Sequence, residues 1–132
     1  DNNNIAIGAK NFLWIFDIDN VRDTMENESL SNYYLLVGRG IGNPGSNVKS
    51  VCFSPDGKTI AAGSSDMFLR VFDAGKGEQI LEPIKHEGSV NSVCFSPDGK
   101  SIAIGLDTND EGNNTLYVYK PNLLNMGDGD YN

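Results

Sequence analysis

A nine-residue stretch, Ser50-Val51-Cys52-Phe53-Ser54-Pro55-Asp56-Gly57-Lys58, recurs 42 residues later as Ser92-Val93-Cys94-Phe95-Ser96-Pro97-Asp98-Gly99-Lys100. Extended to Gly63 and Gly105, the two copies agree at 12 of 14 positions. They differ only at Thr59 against Ser101 and Ala62 against Ile104. Fidelity of this kind at this period means that one supersecondary unit is built repeatedly and buries its apolar face on its neighbours. The unit points to scaffold and a binding surface. It specifies no chemistry.

Each copy reads as strand, turn and strand. Val48, Val51 and Phe53 open one β-rich run, and Val90, Val93 and Phe95 the other. Between the strands, Pro presets φ near −65°, Asp accepts backbone hydrogen bonds, and Gly takes a positive φ. Ile60-Ala61 and Ile102-Ala103 begin the return strands. A third strand, Phe68 to Asp73, places Phe68, Arg70 and Phe72 on one face and Leu69 and Val71 on the other. A fourth is expected over Gln79 to Pro83, outermost because its proline suits only an edge. Upstream, Ile5-Ala6-Ile7-Gly8 aligns with Ile60 to Gly63, and Phe12 to Asp17 with Phe68 to Asp73. Downstream, Thr115 to Tyr119 supplies a third strand.

These residues resemble the WD-repeat family of β-propellers, over roughly residues 5–120. The marks are the Ser-Val-x-Phe-Ser-Pro-Asp-Gly-Lys unit, the Gly after the second strand, and an aromatic-Asp pair closing the third. Phe16-Asp17 and Phe72-Asp73 stand where the family has Trp-Asp, and Lys85-His86 where it has Gly-His. Tyr119-Lys120 loses the Asp. The resemblance implies an all-β fold of four-stranded antiparallel blades. A partial blade 1 falls at about residues 4–37, blade 2 at about 47–84, blade 3 at about 89–120, and a tail at 121–132. It also implies that His86 is a hydrogen-bonded blade histidine. Asp66 would be the Asp of an internal polar network that only the middle repeat can hold in part. A looser resemblance is to Groucho/Tup-type corepressor propellers. There too, a degenerate second-to-third strand turn (here Ala9-Lys10-Asn11) and a long insertion (here Asp19 to Asn47) precede the Ser-Val-Cys-Phe-Ser-Pro-Asp-Gly-Lys unit.

Propellers close with four to eight blades, and this chain supplies fewer than three complete ones. An open arc leaves an apolar sheet face bare at each end. We read the 132 residues as part of a larger propeller. The alternative is a structural element in which several copies complete a propeller or a filament.

A net charge of −8 opposes nucleic-acid binding through a basic face. The longest wholly apolar run, Phe12 to Phe16, is far too short to span a bilayer. We expect an intracellular protein, cytoplasmic or nuclear. Cys52 and Cys94 occupy one repeat position on adjacent blades, too far apart for a disulfide, and read as small buried hydrophobes. With one histidine and no local nucleophile–base spacing, we expect no enzyme, no catalytic residue, no metal and no cofactor. A metal-dependent propeller enzyme is a remote second alternative.

Specificity belongs where the repeat breaks. Asp17 to Val48 spans 31 residues against 17 for Asp73 to Val90, which leaves a polar loop and an outer strand, Tyr33 to Val37. Gly38 to Gly45 superficially resembles a phosphate loop, but Pro44, Gly45 and a strand follow where such a loop needs a helix, so it is expected to be a flexible inter-blade connection. Asp107 to Asn114 half-matches a calcium loop through Asp107, Asn109, Glu111 and Gly112, yet Val118 stands where the bidentate Glu is required. In propellers, second-to-third strand turns share a rim with the inter-blade connections. The candidate partner-binding rim is Asn47, Lys49, Asp66, Met67, Gly88, Asn91, Asp107, Asp110 and Glu111. The expected partner is a protein or peptide, Lys/Arg-rich if Asp66, Asp107, Asp110 and Glu111 make an acidic edge.

Overall fold

The structure, a computed structural model, describes residues 4–17, 34–41, 45–108 and 115–120. All regular elements among them are β-strands in antiparallel sheets. β1 (Asn4–Ala9), β2 (Phe12–Asp17) and β3 (Tyr34–Gly40) form the first sheet. β4 (Val48–Phe53), β5 (Thr59–Ser64), β6 (Phe68–Asp73) and β7 (Ile84–Lys85) form the second, in that order. β8 (Ser89–Phe95), β9 (Ile102–Asp107) and β10 (Thr115–Tyr119) form the third. The architecture is a partial, unclosed propeller of stacked blades.

The repeated turn is built identically both times. Gly57 and Gly99 adopt φ of 73° and 74°. Asp56 Oδ1 accepts from Ser54 Oγ at 2.6 Å and from the Lys58 N–H at 3.0 Å, and Asp98 Oδ1 accepts from Ser96 Oγ at 2.6 Å and from the Lys100 N–H at 2.9 Å. The serine hydroxyls in turn accept the Thr59 and Ser101 N–H groups at 3.0 Å. Each turn therefore satisfies its own polar groups and sets the register of the strands it joins. The serine bond above all, then the Lys N–H, holds both carboxyls below the ordinary Asp range.

The alternation expected in Phe68 to Asp73 is present, and both of its faces are buried. Leu69 and Val71 join Ala61 in a core with Val90, Val93, Phe95, Ile102, Ile104 and Leu106 of the third sheet. Phe72 joins Ile60, Ala62 and Val48 in a second core with Leu13 and Ile15 of the first sheet and Ile41 just beyond it. The middle sheet is thus sandwiched. The glycine next to last in β1 and in β5 sets the close approach: a Cβ on Gly63 would strike Val90, and one on Gly8 would strike Val48. In both cases a valine at the start of the next sheet fills the space where a side chain would be. At Gly105, the third position of this series, the nearest atom to such a Cβ is Ser92 Cβ of its own sheet, at 3.5 Å.

Three expectations need correction. The outer strand of the first sheet runs on to Gly40, taking Gly38-Arg39-Gly40 out of the supposed flexible connection, because those residues pair with Trp14, Leu13 and Phe12. The outer strand of the second sheet is not continuous over Gln79 to Pro83. Gln79 makes an isolated bridge to Phe72, and regular pairing resumes only at Ile84 and Lys85, opposite Leu69 and Phe68. Arg70 and Val71 therefore face four residues, Ile80 to Pro83. The proline has no N–H to donate, and the chain bulges there. Finally, Cys94 is exposed; Cys52, half-buried, packs against the core shared with the third sheet, while Cys94 sits on that sheet's far side. Both cysteines are free.

Candidate functional site

At one end of the sheets, the hairpins and the inter-sheet connections are stitched together through the backbone. The Lys10 carbonyl accepts the Val48 N–H at 2.5 Å, and the Asn11 carbonyl accepts the Ile41 N–H at 2.6 Å. Asn47 exchanges bonds with the next hairpin: its N–H donates to Ser65 Oγ and its carbonyl accepts the Ser65 N–H, both at 2.8 Å. The Met67 carbonyl accepts the His86 N–H at 2.8 Å. Gly88 lies against the Asp107 carbonyl so closely that a Cβ there would collide with it. One rim thus runs across all three sheets.

On this rim Lys49 and Asn91 hold matching places. Each is skipped in its ladder, between the pairs Val48↔Ser64 and Ser50↔Gly63 in one sheet and Val90↔Leu106 and Ser92↔Gly105 in the next. A bulge of this kind re-aims the extra side chain, and both residues are exposed. Asn91 Oδ1 accepts from Ser89 Oγ at 2.9 Å. Asp107 ends β9 and is exposed. Asp110 and Glu111 lie outside the described residues.

Asp66 and Met67 share the β5–β6 hairpin. The Asp66 carboxylate is buried and bidentate on Arg70, at 2.7 Å to Nη2 and 3.1 Å to Nη1, and also accepts the Phe68 N–H at 3.3 Å. Burial works against its ionisation, but the Arg70 hydrogen bonds and charge prevail and hold the carboxyl below the ordinary Asp range. The Arg70 guanidinium lies 5.2 Å from the Phe68 ring centroid. Asp66 therefore offers its charge to Arg70 and not to a ligand. Met67 is exposed and sits at φ 75°, a conformation that favours glycine.

His86 departs from the expected hydrogen-bonded role. Its Nε2 is buried and has no hydrogen-bond partner among the described residues, and burial lowers its pKa so that the neutral ring is favoured. Its ring lies 5.9 Å from Tyr117, tilted. The carboxylate the resemblance assigns to this network is engaged by Arg70. The ion pair was missed in the sequence, although the Asp–Arg spacing of four residues was visible; in a strand-turn-strand segment that spacing meets only because the hairpin folds back.

The family model for the WD domain, G-beta repeat, matches residues 36–73 and 77–120, well over half of the chain. The chain belongs to the WD-repeat family. No curated protein matches it. Each matched WD repeat begins on the outer strand of one sheet, in β3 or just before β7, and ends on the third strand of the next. Repeat and blade are thus staggered, and the covalent chain itself ties neighbouring WD blades together. WD repeats generally mediate protein–protein contacts and are typically scaffolds, not enzymes. Among the described residues no cluster of three or more His, Cys, Asp or Glu side chains is placed to hold a metal. A recess of about 490 Å³ follows the bulged run and is lined by Gln79, Ile80, Leu81, Glu82 and Pro83. With one charged side chain, it lacks the convergent polar groups of a small-molecule site.

Proposed function

We propose that this WD-repeat chain is a protein–protein interaction scaffold, part of a larger propeller, whose stitched rim binds a peptide or protein partner inside the cell. The observation that carries the reading is the rim itself. Backbone bonds from Asn47, Met67 and Lys10, and the Gly88–Asp107 contact, hold loops from three sheets in one fixed surface. A surface organised before the partner arrives loses little conformational freedom on binding. Lys10, Asn47, Lys49, Met67, Asn91 and Asp107 are among its exposed side chains. Because Asp66 is neutralised by Arg70, attraction of a Lys/Arg-rich segment falls to Asp107, Asp110 and Glu111, on a chain of net charge −8. Free thiols at Cys52 and Cys94 support a reducing compartment, the cytoplasm or nucleus.

The test is capture of an arginine-rich peptide by the chain, with and without the combined change Asp107→Asn, Asp110→Asn and Glu111→Gln. At low ionic strength, the triple variant should bind about tenfold more weakly, and the difference should shrink as salt screens the charges. Equal binding at low salt rejects the acidic edge.

A further inference from the structure

His86 lies in the connection from the second sheet to the third, and both sheets hold it. Its N–H donates to the Met67 carbonyl at 2.8 Å, which fixes its backbone against the β5–β6 hairpin. Its ring lies 5.9 Å from the Tyr117 ring on β10. Tyr117 pairs with Ile104, a member of the core between the two sheets, so it faces the second sheet. Two residues after His86, Gly88 is pressed against the Asp107 carbonyl. The imidazole is therefore held in the seam between the second and third sheets. Tyr117 occupies the place that Arg70 has one repeat earlier: Arg70 pairs with Ala62, and Tyr117 with the matching Ile104. Arg70 finds a carboxylate in its own hairpin, whereas Tyr117 lies against an imidazole. The charged groups of the surrounding elements are Lys85 and Glu87 beside it in the chain, Asp66 and Arg70 on the hairpin, and Asp107 at the end of β9. Asp66 and Arg70 bind each other, and none of the five reaches the buried Nε2. Asp110 and Glu111, in the loop after β9, lie outside the described residues.

We propose that His86 is a pH-sensitive latch: neutral, it closes the seam between the second and third sheets, and protonated, it opens that seam. A protonated imidazole carries an N–H donor on each nitrogen. In the closed seam, one of them would be buried at Nε2 with no acceptor, and the positive charge would have no partner. Exposing the ring to water relieves both, and it parts His86 from Tyr117. Burial holds the His86 pKa below its ordinary value of 6.5. The open or unfolded chain therefore binds the proton first as pH falls. Stability is complete above 6.5 and is lost as pH falls from there to the lower folded value. The latch is a property of the fold, and it stands or falls separately from peptide binding at the rim.

His86 is the one histidine of the chain, so its titration can be read without assignment. Its ring C–H resonances, followed by NMR, should titrate at a lower pH in the folded chain than in the same chain in urea. Between about pH 7.5 and about pH 5.5 the thermal midpoint should fall. Amide exchange, corrected for its intrinsic rate, should quicken several-fold over residues 86–91 and 106–107 and stay unchanged over residues 54–59. Asp56, Asp66 and Asp98, all held below the ordinary Asp range, stay ionised throughout and add nothing to the change. His86→Phe, a neutral ring, should abolish both the fall and the quickened exchange. A folded-state titration at or above the urea value overturns the latch, and this result needs no variant to fold. So does an equal acid loss in His86→Phe, or quickened exchange spread evenly over the chain.

Discussion

Asp66 and Met67 are neighbours in one hairpin with opposite consequences for stability. The Asp66–Arg70 pair is buried and bidentate, so removing one partner leaves the other as an unpaired charge out of water. Asp66→Asn should cost about 3 kcal/mol, read from chemical unfolding. The pH dependence has the same origin. Because folding lowers the Asp66 pKa below the unfolded value of 3.8, its contribution is complete above that value and fades as pH falls through the lower folded one. The wild type should therefore lose stability in that acid range, and Asp66→Asn should lose less there. Met67 works the other way. At φ 75° a side chain other than glycine is strained, and Met67→Gly should raise stability by about 1 kcal/mol, seen as an increase of several degrees in the thermal midpoint. No increase would mean that the methionine makes native contacts that offset the strain.

The strand and its neighbour across the sheet interface form the next scale. Gly8, Gly63 and Gly105 are one repeat position with two environments. A Cβ on Gly63 would come within 2.8 Å of the Val90 carbonyl oxygen, while one on Gly105 meets nothing nearer than 3.5 Å. Gly63→Ala should therefore cost about 1–3 kcal/mol through overpacking, and Gly105→Ala should change stability by less than about 0.5 kcal/mol. Equal effects in thermal unfolding would show that strand geometry, and not the neighbouring sheet, demands the glycine. At this scale the strands with strong alternation, β4 to β6 and β8 to β10, were legible, as were both Ser-Pro-Asp-Gly turns, because their residues satisfy one another locally. The outer strands were not. β3 absorbs glycines that read as a loop, and β7 is split from Gln79 by a bulge. An outermost strand takes its extent from the backbone groups its neighbour leaves open, which side-chain patterning does not record.

Among the described sheets, the middle one is buried on both faces, whereas the first and third are packed on one. Leu116 and Val118 are 72% and 62% exposed on the third sheet, beside Gly105 and the exposed Cys94. The folded chain should therefore bind an apolar fluorescent dye. Leu116→Thr with Val118→Thr should reduce that signal without lowering the thermal midpoint; an undiminished signal would place the apolar surface elsewhere. The sequence by itself determined the repeat, its inner strands and turns, and the family, because periodicity and turn chemistry are local properties. Only the tertiary structure decided which candidate side chains face solvent. It turned Asp66 inward to Arg70, left His86 Nε2 without a partner among the described residues, lifted Lys49 and Asn91 out of their ladders, and separated the half-buried environment of Cys52 from the open one of Cys94. The physical reason is that burial belongs to the neighbouring sheet as much as to the residue. Identical sequence copies therefore differ where the described sheets packed against them differ.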